Sequence, residues 1–221
     1  MLSELITLTK ATQAIWEHKS AAIKAMKWMF SNLEEKRLLD ARELLIEAIG
    51  NGDAIIIDAE EVDNFVAITH RYFRAAQEGS ARLNLRIMAQ VIAGQKIDGR
   101  LSADEFLQHA EILASLSVNE IVLLGTFYAL YQEILKQGKF DHDAAADATK
   151  QVLQKLVPRP FESIKEVMAT AHAVTRTGLL LPHPGALGGP TFEPTVLLDR
   201  LYRLTNLKDA VEKEAQNAPP K

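Results

Sequence analysis

All eight prolines of this 221-residue chain lie at or after Pro158. Average usage of about 5% would put roughly eight prolines in the stretch before it. Proline costs about 3 kcal/mol inside a helix and is common in turns, so a proline-free stretch this long, with regular apolar spacing, predicts a mostly helical chain. Seven glycines interrupt the stretch, at positions 50, 52, 79, 94, 99, 125 and 138, and most of them fall where a helix would end.

Periodicity and caps place the elements. Residues 2–30 carry Leu5, Leu8, Ile15, Ile23, Met26 and Phe30 close to one helical stripe, and Ser31 and Asn32 before Glu34 and Glu35 read as a bend or a restart. The continuation, striped by Leu38, Ala41, Leu45 and Ala48, stops at Gly50-Asn51-Gly52, and Ile55 to Ile57 reads as a buried connector. Further helices are expected over 60–78, over 81–93 with an end at Gly94, from the Ser102/Glu105 box to 116, and from the Ser117/Glu120 box over 118–136. Asp141 or Asp143 is expected to cap a helix that ends before Pro158, and 161–177 reads as a helix with Gly178 at its C′ position.

Beyond Gly178 the texture changes. Leu179-Leu180-Leu181 and Thr191-Phe192-Glu193 read as short extended pieces around a loop rich in Pro and Gly, followed by a helix over 195–207. The order from Ile112-Leu113-Ala114-Ser115-Leu116-Ser117-Val118-Asn119-Glu120-Ile121-Val122-Leu123-Leu124, through helices to Arg176-Thr177-Gly178-Leu179-Leu180-Leu181, a loop and Phe192-Glu193-Pro194-Thr195, resembles a winged-helix module. It is also distantly similar to the C-terminal part of bacterial abortive-infection proteins of the Abi-alpha type. The resemblance covers about half the chain. It implies a β-hairpin wing with its tip at the Pro/Gly loop, a reader helix over 161–177, and a context of phage defence or prophage biology.

Charge bears on what such a module could contact. The expected reader helix sets Lys165 and Arg176 against Glu162 and Glu166, and the wing has no Lys or Arg between Leu179 and Glu193. From Arg100 to Ala210 there are eleven Lys or Arg and thirteen Asp or Glu. Nucleic-acid affinity is dominated by phosphate contacts from clustered cations, so DNA binding is the alternative here and protein contact the first reading.

With no cysteine, thiolate zinc sites, iron–sulfur clusters, disulfides and cysteine nucleophiles are excluded. Phosphate-loop, dinucleotide, nucleophile-elbow and His-Glu-x-x-His motifs do not occur. Asp141-His142-Asp143 reads as a capping loop, and His70, His109 and His172 read as core or boundary groups, so no catalytic residue, metal ligand or cofactor is assigned.

The most distinctive local feature is residues 10–30, which hold four lysines and one glutamate in a chain of net charge -4. Lys19, Lys24 and Lys27, with Trp16, Trp28 and Phe30, form a basic amphipathic face suited to a partner groove, a second copy or an anionic membrane surface.

The expectation is an all-α protein: a helical interaction region over 1–99, a winged-helix-like region with a short β-hairpin over 100–210, and a flexible tail over 211–221. Its expected role is a non-catalytic cytoplasmic interaction or scaffold protein, expected to form a homo-oligomer. The binding residues are Trp16, Lys19, Lys24, Lys27, Trp28, Phe30, Lys165 and Arg176, with DNA regulation and peripheral membrane binding as alternatives.

Overall fold

A computed structural model describes residues 35–50, 61–99, 101–184 and 190–217. Among these the chain is all-α apart from one two-stranded antiparallel hairpin near the C-terminus. The helix expected over 2–30 and the connector at 55–57 lie outside the described residues. The chain divides into two compact units between Ala114 and Ser115.

The first unit contains α1 (Glu35–Gly50), α2 (Val62–Gln77), α3 (Arg82–Ile97) and α4 (Ala103–Ser115). α3 is buried at every position from Leu83 to Ala89, as expected of a helix with neighbours on several sides. Such burial leaves no water for polar side chains, so each must find a protein partner. Asn84 donates to the Leu113 carbonyl, and Arg86 makes two bonds to the Glu47 carboxylate at 2.9 and 2.8 Å. α1 is held further by Tyr72, whose hydroxyl donates to the Ala41 carbonyl at 2.8 Å, and by Arg82 against Asp40 at 3.6 Å.

Side chains of α2 and the residue before it also hold α4. Glu61 and Asn64 accept from the backbone amides of Leu101 and Ala103, and Arg71 donates to Glu111 at 2.6 Å. These bonds, with Asn84 on Leu113, tie α4 to the first unit. The compact boundary falls at the end of α4, between Ala114 and Ser115; the sequence reading divided the regions at 99/100. α3 also runs three residues past Gly94, which the sequence reading took as its end. The cost of a helical glycine, about 1 kcal/mol, is small beside the burial of Val91 and Ile92, and the helix ends instead before Gly99, whose φ of 84° suits glycine.

The second unit contains α5 (Val118–Lys136), α6 (Asp141–Lys155), α7 (Ile164–Val174), a 3₁₀ turn (Thr175–Thr177), β1 (Leu180–Pro184), β2 (Pro190–Pro194), α8 (Val196–Leu204) and α9 (Leu207–Asn217). α5 supplies Ile121, Leu124, Phe127 and Tyr131 to the core, and α6 meets it with the small residues Ala144, Ala145 and Ala148. On α5, Gly125 admits α9 closely: a Cβ there would stand 3.4 Å from Leu207 Cβ. α9 itself occupies much of what the sequence reading took as a tail, seated by the buried Leu207 and Ala210. Phe140, and not an aspartate, holds the N-cap position of α6, without a side-chain bond. The Ser117/Glu120 box forms as expected, Ser163 caps α7, and Gly178 closes the 3₁₀ turn in the left-handed region at φ 72°.

The hairpin takes in four prolines, Pro182, Pro184, Pro190 and Pro194, which the sequence reading kept out of the strands. Register explains their tolerance. Thr195 N–H donates across to the Leu179 carbonyl, whereas Phe192 N–H points away and donates to Thr149 Oγ1 of α6 at 3.1 Å. Hydrogen-bonded and non-bonded pairs alternate in an antiparallel ladder, so Leu181↔Glu193 and His183↔Thr191 are the bonded pairs. Every proline falls in a non-bonded pair, where its missing N–H removes no ladder bond and also strips the strand edge of donors.

Phe192 is the anchor of this hairpin. It is fully buried beside His172, ring centroids 5.1 Å apart, and lines a small apolar cavity with Leu123, Phe127, Val152, Val167 and Leu180. Replacing Phe192 by Ala is expected to cost about 3–5 kcal/mol. Thr149→Val, which orphans the Phe192 amide, is expected to cost about 1–3 kcal/mol in chemical denaturation. A neutral Thr149→Val would show that this bond does not seat the strand.

Candidate interaction surfaces

Six of the eight expected binding residues, Trp16, Lys19, Lys24, Lys27, Trp28 and Phe30, lie outside the described residues. The other two belong to the second unit. Lys165 sits in the first turn of α7 and is exposed, as are Ala169 and His172 on the same side of the helix. Arg176, in the 3₁₀ turn that follows, is committed elsewhere.

Its guanidinium pairs with Glu120 through both Nη atoms and also donates to the carbonyls of Ala173 and Ser115, at 2.6 and 2.8 Å. Glu120 in turn accepts from the Ser117 amide at 2.7 Å and the Ser117 hydroxyl at 3.0 Å. A capping box, legible in sequence as a local device, thus also receives the arginine that follows α7, and ties the start of α5 to the end of α7. Burial of the Glu120 carboxyl disfavours its charge, but the bonds from Arg176 and Ser117 outweigh this and hold it below its ordinary 4.5. The same contact holds Arg176 above its ordinary value. The sequence reading saw Arg176 as a surface cation because nothing local distinguishes an exposed arginine from one that meets a carboxylate 56 residues away.

Among the histidines, His109 is 1% exposed, with Nδ1 2.8 Å from the Glu105 carbonyl. A carbonyl only accepts, so Nδ1 carries the proton. The ring lies inside the first unit and presents no base to a surface ligand. His70 and His172 are exposed. The side chains of Asp141 and His142 fall outside the described residues.

A surface not singled out in the sequence lies on α1. Leu38, Ala41, Leu44 and Leu45 face the core, and the opposite side carries Leu39 at 48% exposure and Ile46 at 55%. Seven residues apart, these two stand on one line along the helix. Arg42 and Glu43 are exposed between them, one on either flank, and among the described residues form no ion pair or side-chain hydrogen bond. The stripe Leu38/Ala41/Leu45 was legible as a core face. Leu39 and Ile46 were not, because single exposed aliphatics are ordinary until the core face is known.

No single helix among the described residues is long and apolar enough to cross a membrane. No family model, no curated protein and no solved structure matches the chain.

The Glu120–Arg176 contact makes a pH prediction. A carboxyl titrating lower in the folded state than in the unfolded state stabilises fully above its ordinary 4.5, and that contribution is lost as pH falls through the lower folded value. Glu120→Gln is therefore expected to flatten the acid limb of the stability–pH curve. At neutral pH, Arg176→Ala is expected to cost about 1–2 kcal/mol, discounted because the arginine is half exposed. Parallel acid limbs for the wild type and Glu120→Gln in urea titrations would refute the assignment.

Proposed function

We propose that this chain works without catalysis, as an interaction or scaffold protein whose contact surface includes the outer face of α1. The observation that carries this reading is the aligned, solvent-facing pair Leu39 and Ile46 on a helix whose opposite side is locked into the first unit by Tyr72, Arg82 and Arg86. A rigidly seated helix that presents aliphatic side chains outward offers a preorganised surface, and preorganisation lowers the entropy lost on association. The basic tryptophan-bearing segment that precedes α1 in sequence, with Trp16, Lys19, Lys24, Lys27 and Trp28, suits the same role. The resemblance to abortive-infection proteins would place this activity in phage defence or prophage biology.

DNA regulation has less support. The outer side of α7 offers Lys165 and His172, while the Arg176 guanidinium is spent on Glu120 and backbone carbonyls. Affinity for a duplex rests on several cations free to meet phosphate.

A photo-crosslinking residue placed at Leu39 is expected to give a discrete covalent protein adduct in cells, and the same residue at exposed Asp104 on α4 is expected to give none. The adduct should disappear when Ile46→Asp is added. No adduct from position 39 would overturn the reading.

A further inference from the structure

We propose that the outer face of α1 docks on α1 of a second copy of this chain, the two helices running parallel about a two-fold axis along their length. This rests on the interaction reading above and names its partner.

The argument comes from the order of side chains on that face. Leu39 and Ile46 form its centre line, with Arg42 three residues after Leu39 and Glu43 four residues after it, so that the charges flank the line on opposite sides. In a parallel two-fold pair each flank of one helix meets the opposite flank of the other. Leu39 then packs on Leu39 and Ile46 on Ile46 of the second copy, while Arg42 meets the partner copy's glutamate and Glu43 its arginine. In an antiparallel pair the same flanks meet, which sets arginine against arginine and glutamate against glutamate. Like charges facing each other are penalised, so the charge pattern selects the parallel arrangement.

Arg42 and Glu43 are available for this. Asp40 and Glu47 of the same helix are drawn toward Arg82 and Arg86, whereas Arg42 and Glu43 form no ion pair or side-chain hydrogen bond among the described residues. Both are exposed and adjacent in sequence, and their opposite signs make the face self-complementary, as a closed two-fold contact requires. Two aliphatic side chains per subunit bury far less than the roughly 800 Å² per partner of a standard interface. The α1 contact is accordingly a concentration-dependent one.

Because the chain contains no cysteine, Leu39→Cys and Ile46→Cys each introduce a single thiol. Matching positions on the seam of a parallel pair come within disulfide reach, so each purified variant is expected to oxidise to a covalent dimer by itself. Cross-linking only when the two variants are mixed would indicate antiparallel helices and overturn the proposal. Light scattering over a concentration series is expected to show Arg42→Glu weakening the dimer by on the order of 3- to 10-fold, with Arg42→Glu/Glu43→Arg restoring it. Equal dimerisation of wild type and Arg42→Glu, or a monomer throughout, would also overturn it. The two readings separate cleanly: a position-39 adduct with a different protein and no self-cross-link sinks the second-copy inference alone, and no adduct of either kind sinks both.

Discussion

The arrangement of the first unit depends on a charge that has been taken out of water. Arg86 lies on α3, buried along with its neighbours Leu83 to Ala89, and a guanidinium in that position is costly unless a carboxylate meets it. Glu47 does so through two bonds, and this fixes the rotation of α1 about its own axis. Tyr72 on the Ala41 carbonyl and Arg82 on Asp40 hold the same orientation. Once Leu38, Leu44 and Leu45 are turned inward, Leu39 and Ile46 have only the outward direction. The exposed face of α1 is thus a consequence of how a buried arginine is neutralised elsewhere.

The second unit is organised by similar demands met with different chemistry. Glu120 is nearly buried at the start of α5, where the Ser117 cap alone leaves part of its carboxylate unanswered, and Arg176 completes the set. On the other side of α7, Phe192 carries the hairpin into the core, and its outward-pointing amide is met by Thr149 of α6. Thr149 in turn donates to the Ala145 carbonyl, so its hydroxyl serves as both donor and acceptor. Four prolines in a two-stranded ladder would be destructive in any other register. Here their alternation with bonded pairs leaves the ladder whole and its outer edge poor in donors, which guards against strand addition.

Much of the helical skeleton was open to reading from the residues. Proline-free length, 3.6-residue stripes and two Ser-x-x-Glu boxes place α2, α4 and α5 closely, and Gly178 marks a turn that needs positive φ. These are local signals, and local signals decide where helices start, stop and which side is apolar. The misplaced elements share one cause. Gly94 continues a helix, prolines enter strands and α9 forms late in the chain because packing partners distant in sequence offset an unfavourable local preference.

The candidate surface divides in the same way. Sequence alone determined that the chain would be helical with a C-terminal hairpin, that no cysteine chemistry operates, and that Arg42 and Glu43 lie side by side with opposite charge. Only the tertiary structure decided that Leu39 and Ile46 face solvent, that Asp40 and Glu47 are taken while Arg42 and Glu43 pair with none of the described residues, and that Arg176 is bound to a carboxylate. The physical reason is that helical periodicity specifies which residues share a face, whereas the neighbours that cover a face, and the charges that neutralise its ions, come from chain segments 31 to 56 residues away.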